Sequence, residues 1–414
     1  MRMLWLVPVC LTLMSFGVQA EPDPLHHAAT PTTESSLTLH DVLEAAWKRA
    51  PDQPVVPALK AEAAAMKRRG DSFFAGPASV SAMYRGDQLS DDTGLREMDV
   101  GVSVPLWNPG QRSAAAGWSN AAEKDADLTR SALRLQLAGQ VRDALWNLLM
   151  TEKHLTLATT DESEAKGLVA LVEKQHRAGD VAKADLLLAQ DYLLEKSTSR
   201  LRADAQVMDA RRTYVALTGL NQRPARFIEK EVSAETLSND HPMLARARAR
   251  MERATKALTY ARKDQGANPN LTLGVKRERA DFASDSLNSA YVGISVPLGT
   301  GSSAAPVIAA AARELAQSQA DYDNLLRTLN LNLHEAEHTL ATDRATLDLN
   351  SQQADMASQR ASMTERAYRL GETDIFNLVQ ARALAQRARL AAEQAALQVE
   401  WDIARFNQAA GETP

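Results

Sequence analysis

The 414-residue sequence contains a single cysteine, Cys10. It lies within an apolar stretch, residues 4–18, that follows Arg2 and leads to small residues ending at Ala20. This arrangement is typical of a secretory signal peptide, and we predict cleavage after Ala20. The exported chain would then have no cysteine, which excludes disulfide bonds and thiolate metal sites.

After this leader the sequence lacks any apolar run of the roughly 20 residues that a membrane-spanning helix needs. It also lacks a basic stripe, and its formal net charge is −5, so nucleic acid is not an expected partner. An exported chain of this kind could be periplasmic, secreted or a β-barrel protein.

Proline is absent from two long segments, 110–223 and 307–413. Both segments are rich in Ala, Leu, Gln, Arg and Glu, which favour helix. We predict long helices over about 111–176, 181–218, 303–369 and 373–410, with tight turns at Gly179 and Gly371. The longer helices would each extend about 100 Å at 1.5 Å per residue.

The sequence contains an internal duplication, and the two copies are offset by 192 residues. The sequence Val-Gly-Val-Ser-Val-Pro-Leu at 100–106 recurs as Val-Gly-Ile-Ser-Val-Pro-Leu at 292–298, and Gly179 and Gly219 recur as Gly371 and Gly411. We therefore predict a first repeat over 39–220 and a second over 241–411. A linker, 221–240, joins them, and a flexible segment, 21–38, precedes them.

Each repeat also contains two stretches in which apolar and polar residues alternate, as in β-strands. We predict strands over about 78–86, 97–106, 270–279 and 289–298, paired as hairpins. Their length suits a tilted barrel wall, although a half-buried soluble sheet would alternate similarly. The residues expected to anchor the barrel in lipid are Val100, Val102, Val104, Val292, Ile294 and Val296, with Trp107 at the membrane interface.

Apolar residues on the long helices step by four and three, as in a coiled-coil seam. Leu137, Val141, Ala144 and Leu148 begin this pattern in the first repeat. A helical hairpin of this kind has little core of its own, and four strands cannot close a barrel in lipid. Oligomerisation is therefore expected. Three chains would supply twelve strands, and the sequence also allows two or four.

These features together resemble the TolC-type outer-membrane efflux family. The resemblance rests on residues 37–46 after the leader, Val102-Ser103-Val104-Pro105-Leu106 before the helix, and Tyr368-Arg369-Leu370-Gly371-Glu372 at the turn. It implies a mainly α protein with a β-barrel portion: a homotrimer with a 12-stranded barrel in the outer membrane of a Gram-negative bacterium and an α-helical periplasmic tube. The implied partners are a periplasmic adaptor and an inner-membrane pump, of the RND type.

The compact length resembles the CzcC-like heavy-metal resistance branch, which implies metal cations as cargo. Two alternatives remain open on the sequence. One is a type I secretion duct for polypeptides, which uses the same scaffold. The other is a periplasmic coiled-coil scaffold protein, which would lack four amphipathic strands.

The resemblance also assigns roles to residues at the helical turns. The adaptor-docking tip would consist of Arg177, Gly179, Asp180, Arg369, Gly371 and Glu372. The periplasmic aperture would include Asp185, Leu186, Thr373, Phe376, Asn377 and Gln380. Thr373 stands where a basic partner of Asp185 is expected, and Asn377 and Gln380 stand where some relatives carry an acidic ring. Gating is therefore expected to rest on packing around Leu186, Phe376 and Leu378.

One motif suggests catalysis: His334-Glu335-Ala336-Glu337-His338 matches the zinc-peptidase pattern H-E-x-x-H. Two histidines at i and i+4 share a helix face and can bind zinc. In the predicted coiled coil, however, they lie away from the seam, and the first repeat has Arg142 and Trp146 in their places. We therefore predict no enzyme activity, no cofactor and no resident metal.

Overall fold

The computed structural model describes residues 32–234, 236–299 and 301–414, so the predicted signal peptide with Cys10 lies outside the described residues. Within these ranges the helices are α1 (Leu39–Arg49), α2 (Val55–Asp71), α3 (Gln111–Ala178), α4 (Lys183–Thr218), α5 (Pro242–Asp264), α6 (Gly301–Arg369) and α7 (Ile375–Ala410). The strands are β1 (Thr32–Glu34), β2 (Ser79–Gly86), β3 (Arg96–Pro105), β4 (Gln222–Pro224), β5 (Asn270–Arg279) and β6 (Leu287–Ser295).

The two long helices, α3 and α6, have 68 and 69 residues. At 1.5 Å per residue each is about 100 Å long. Pro306 lies in the second turn of α6, where its missing backbone N–H removes one hydrogen bond near the start of the helix. Glycines in the left-handed conformation end α3 at Gly179 and α4 at Gly219, because a residue without Cβ adopts a positive φ freely.

The four longest helices pack side by side in the order α4–α3–α7–α6. α3 contacts both α4 and α7, and α7 contacts α6. The shorter helices α2 and α5 pack against α3, and α5 also contacts α6. None of the helices in the described ranges is both long and apolar enough to cross a membrane.

The strands of the two repeats form one antiparallel sheet in the order β2–β3–β5–β6. The hairpins β2–β3 and β5–β6 meet through β3 and β5, where Gly101 pairs with Gly274 and Asp99 with Lys276. The outer strands of the sheet, β2 and β6, each have one edge without a partner strand in this protomer.

The largest core cluster lies where α1, α3 and α4 meet the segment after β4. Trp146 is 1% exposed there and packs edge-on against Phe227, with ring centroids 4.8 Å apart. Arg142, which is 2% exposed, donates two hydrogen bonds to the carboxylate of Glu229, at 2.8 and 2.6 Å. A buried guanidinium paired in this way is satisfied in a site where an isolated charge would be costly.

Two short strands lie in the segments outside the predicted repeats. Residues 32–34 fall in the segment expected to be flexible, and 222–224 fall in the predicted linker, yet they pair in parallel as β1 and β4. Thr38 then begins α1, with its hydroxyl accepting from Asp41 N and the Asp41 carboxylate accepting from Thr38 N. Strands of three residues are too short to show an alternating pattern, so they are not visible in the sequence.

Candidate functional site: the exposed sheet and the helical tips

One face of the four-stranded sheet is apolar and exposed. Alternation and strand register place on it Val80, Met98, Val100, Val102, Val104, Leu271, Leu273, Val275, Val292 and Ile294. Several of these side chains are largely uncovered, including Val292 at 72% and Val80 at 74%. A contiguous apolar patch of this kind marks a surface that contacts lipid or another protein.

Five of the six residues predicted to anchor the barrel lie on this face, and Val296 follows the end of β6 with its side chain exposed. Val80, Leu273 and Val275 lie on the same face and are exposed, although they are not among the residues named as anchors. The strand containing Val80 alternates weakly, because Ala82 adds little apolar area between Val80 and Tyr84.

The opposite face of the sheet is polar. Lys276 lies 2.5 Å from Glu278 and 3.4 Å from Glu97, and Arg85 lies 3.7 Å from Glu97. Ser103 and Thr272 pair on the same face, with the Thr272 hydroxyl donating at 3.2 Å to that of Ser103. A sheet with one apolar and one charged face suits a wall between lipid and water.

Trp107, the predicted interface residue, is half-buried just beyond β3, where its indole N–H donates to Ser72 O at 3.1 Å. This bond fixes the ring at the junction of sheet and helices. Phe73, beside it, is 79% exposed and packs against Phe74 with ring centroids 5.0 Å apart. An exposed aromatic residue at the end of an apolar sheet face is typical of a membrane interface, and the sequence reasoning did not single out Phe73.

At the far end of the long helices, the two turns have the same geometry. Asp180 N donates to Gln175 O at 2.9 Å, and Glu372 N donates to Ala367 O at 2.9 Å, which is the bond that closes a Schellman motif. Gly179 and Gly371 have φ of 85° and 79°. The predicted tip residues therefore occupy equivalent turns at the same end of the helical bundle.

A small apolar core joins these two turns. Its buried members are Ala165, Leu168, Val172, Ala189, Tyr192, Tyr368, Ile375 and Leu378. Tyr368 OH donates to Gln175 Oε1 at 2.8 Å, which connects α6 directly to α3. Burial raises the pKa of Tyr192 to about 12, so its hydroxyl stays protonated and donates to Gln386 at 2.8 Å.

The charged residues of the tips point away from this core. Arg177 pairs with Glu173 at 3.2 Å and Arg369 with Glu365 at 2.5 Å, each one helical turn earlier on its own helix. The Arg177–Glu173 pair is exposed and adds little stability, whereas Glu365 is half-buried and also lies 3.1 Å from Arg382 on α7.

The structure brings only some of the predicted aperture residues together. Leu186 packs against the core that contains Leu378, whereas Phe376 is 54% exposed and does not belong to that core. Asp185 accepts from Ala182 N at 3.2 Å and so caps the start of α4. Of the three polar aperture residues on the second tip, Thr373 is half-buried, and Asn377 and Gln380 are exposed.

The H-E-x-x-H motif lies in the middle of α6, and both of its histidines are exposed. Leu333 and Leu340, which flank the motif, are buried against α7, so the histidines project from another side of the helix. Within the described ranges, no group of three or more His, Cys, Asp and Glu residues is arranged to hold a metal ion.

An exposed apolar sheet at one end and paired helical tips at the other match a known family. The family described as Outer membrane efflux protein matches residues 48–220 and 233–412 of this chain. The chain belongs to this family. It is an outer-membrane efflux channel of the TolC type that extends into the periplasm, and the family is not enzymatic.

Solved structures share the same fold. The outer-membrane channel CmeC from Campylobacter jejuni has a TM-score of 0.73 and 17% identity, covering 92% of this chain and 89% of that one. The outer membrane protein VceC from Vibrio cholerae has a TM-score of 0.72 and 15% identity, covering 91% of this chain and 96% of that one. The predicted fold class, mainly helical with hairpin strands, is confirmed.

Among curated proteins, the cobalt-zinc-cadmium resistance protein CzcC from Cupriavidus metallidurans is 24% identical over 274 residues. The alignment covers 62% of this chain, and the chain spans 63% of the length of that relative. The prediction of a TolC-type family is therefore confirmed, and the likeness to the heavy-metal branch is weak.

Proposed function

We propose that the protein is a homotrimeric, passive duct in a tripartite efflux system. Its tips would dock to a periplasmic adaptor and an inner-membrane pump of the RND type, and its cargo would be metal cations. Membership of the efflux family supports both the trimer and its place in a tripartite system. The name of the CzcC relative, which refers to cobalt, zinc and cadmium, supports the proposed cargo.

The proposal of a trimer rests on two exposed rows of apolar residues, called seams here. One lies on α4 and the other on α6, the helices at the two ends of the order α4–α3–α7–α6. On α4, four apolar residues spaced by seven are 48–66% exposed: Leu187, Leu194, Leu201 and Met208. On α6 and the turn after it, four more with the same spacing are 64–73% exposed: Leu349, Met356, Met363 and Leu370. A spacing of seven is the mark of a coiled-coil seam that faces a partner helix.

The two seams are complementary in length and direction. α4 begins at its tip turn and α6 ends at its own, so the helices run in opposite directions. At about 1.5 Å per residue, Leu194 lies about 17 Å from the start of α4, and Met356 lies about 20 Å from the end of α6. The distances from the tip differ by the same amount in the pairs on either side, which are Leu187 with Met363 and Leu201 with Leu349.

Because the two seams differ, one copy would use its α4 against α6 of the next. Such a head-to-tail contact closes into a ring when the rotation between copies allows it. The sheet has the same need, since its edges at β2 and β6 cannot stay unpaired in lipid. Three copies would join twelve strands into a barrel above twelve long helical segments.

A cysteine cross-link tests this arrangement. Leu194→Cys with Met356→Cys should give disulfide-linked ladders up to a trimer on non-reducing gels, because Cys10, the only native cysteine, lies in the predicted signal peptide. The control is Leu194→Cys with Asp355→Cys, since Asp355 lies at the same height on a different side of α6. Equal cross-linking in both, or a water-soluble monomer, would contradict the proposal.

The cargo is tested separately in a strain that lacks the gene. We expect increased sensitivity to divalent metal cations, restored by the wild-type gene, and unchanged sensitivity to organic drugs. Sensitivity to drugs alone would contradict the metal assignment. Loss of a secreted polypeptide would instead indicate the type I secretion alternative.

A further inference from the structure

Asp402, on α7, is a buried carboxyl group in the seam between α7 and α6. The residue is 2% exposed. Its Oδ1 accepts from the Gln398 side-chain amide at 2.8 Å. Its Oδ2 is buried and has no hydrogen-bond partner among the described residues. A buried oxygen without a donor is costly for an ionised carboxylate.

Across the seam, Asp402 interacts with another acid, Asp343 on α6. Burial, and then hydrogen bonding with Asp343, raise the pKa of Asp402 to about 6. Two carboxyl groups that interact directly cannot both ionise without strong repulsion. A proton on Asp402 Oδ2 would donate to Asp343 and would satisfy the unpartnered oxygen.

The basic groups around Asp343 and Asp402 compensate their negative charge poorly, because each also interacts with other groups. Arg405, on α7, is 3.7 Å from Asp402 Oδ1, but it is also 3.8 Å from Asp143 on α3 and stacks over the Trp401 ring. Beside Asp343, Arg344 is paired with Glu231, which lies in the segment that packs on α6.

The architecture itself does not require this pair. At the offset of 192 residues, the first repeat has Ala210 in place of Asp402 and Thr151 in place of Asp343. Ala210 is buried in the apolar core of α3 and α4. Thr151 directs its hydroxyl to its own helix, donating to Asn147 O at 3.0 Å. The acid pair is therefore an addition to the second repeat alone.

We propose that Asp343 and Asp402 share one proton and act as a pH-sensitive clasp between α6 and α7, the helices that carry the second tip. When the proton is present, a carboxyl–carboxylate hydrogen bond joins the helices. When it is lost, the buried charge of Asp402 faces the half-buried charge of Asp343 and the seam weakens. The clasp does not depend on the cargo or on the adaptor.

The direction of the pH effect follows from the raised pKa. The folded protein holds this proton about a hundredfold more tightly than the unfolded chain does, because the pKa moves from 3.8 to about 6. The stabilisation is complete below the unfolded pKa of 3.8 and is lost as the pH rises to about 6. Above that pH Asp402 is ionised.

The test is the apparent unfolding temperature of the purified full-length protein in detergent, measured from pH 4 to pH 8. Wild type should lose thermal stability between about pH 4 and pH 6. Asp402→Asn keeps a donor to Asp343 without the charge, so it should remove most of this loss and unfold at a higher temperature than wild type at pH 7.5.

Two further variants separate the clasp from general surface charge. Asp343→Thr, which restores the residue of the first repeat, should reduce the pH dependence, while burial of Asp402 retains part of it. The matched control is Asp348→Asn, an exposed aspartate on the same helix, which should keep the wild-type profile. A profile in Asp402→Asn or Asp343→Thr that parallels wild type would overturn the proposal. Since no transport is measured, that failure would leave the duct itself unaffected.

Discussion

The hydroxyl group of Tyr291 donates to Asp99 Oδ1 at 2.7 Å, and these residues are 192 positions apart. They therefore occupy equivalent positions in the two repeats, on β6 and β3. Between them the tyrosine ring lies across two paired glycines of the middle strands. A Cβ at Gly274 would be 2.5 Å from ring atoms, and a Cβ at Gly101 would be 2.8 Å from the hydroxyl oxygen. The glycines give the ring its place on the polar face.

Gly274→Ala should therefore disturb the sheet. The added methyl would collide with the Tyr291 ring and displace it, breaking its bond to Asp99, and overpacking of this kind costs about 1–3 kcal/mol. The matched control is Gly293→Ala on β6, where a Cβ would meet nothing within 4 Å. Heat-modifiable migration on gels should be reduced for Gly274→Ala and normal for Gly293→Ala. Equal behaviour would contradict the role given to the ring.

A positive charge added to β3 should reduce insertion into the outer membrane on the apolar face and be tolerated on the polar face. Val102→Arg places a guanidinium on the apolar face, where a basic residue near the middle of a bilayer costs about 2–4 kcal/mol. Ser103→Arg, the next residue, places the same group on the polar face. We expect less protein in the outer-membrane fraction for Val102→Arg alone. If Ser103→Arg were the more harmful change, the faces would be reversed.

Gly371→Val should impair efflux while trimers remain intact. A β-branched residue is strained at a φ of 79°, at a cost of about 1–2 kcal/mol, and the strain falls on the turn that we expect to dock the adaptor. Resistance of the complemented strain and cross-linked trimers are the two readouts. Gly167→Ala, in the interior of α3 with open space around it, is the neutral control. Normal resistance in the valine variant would count against the tip assignment.

The zinc-peptidase motif should have no catalytic role. Its histidines lie exposed on an uninterrupted helix. The purified protein should show no zinc-dependent cleavage of casein, and His334→Ala should leave efflux unchanged. Cleavage that disappears in this variant would show that the family assignment omits an activity.

The helical part of the fold could be predicted because its signals are long. More than a hundred residues without proline and a glycine at each turn identify the hairpins, and the repeated spacing identifies their seam. β2 was harder to recognise, because only Val80 and Tyr84 are large apolar residues on its outer face. β1 and β4 pair residues that are 190 positions apart, and no local pattern indicates such a contact.

The position of the candidate site could be predicted from the sequence, but the contacts of its side chains could not. Glycine spacing locates the tip turns, yet it does not show that Asp185 caps α4 or that Phe376 lies outside the tip core. The exposed seam on α4 is visible in the sequence as a seven-residue spacing of Leu187, Leu194, Leu201 and Met208. A seven-residue spacing does not distinguish a seam buried within one chain from a seam left for the next, and only packing separates them.

The unlike seams on α4 and α6 have a genetic consequence. In the proposed ring, each subunit binds one neighbour through α4 and another through α6, so a chain damaged at one seam would still bind through the other. In a cell that makes both normal and damaged chains, mixed rings would form and fail to seal. Alleles that alter only one seam would then behave as dominant, whereas alleles that prevent folding would be recessive.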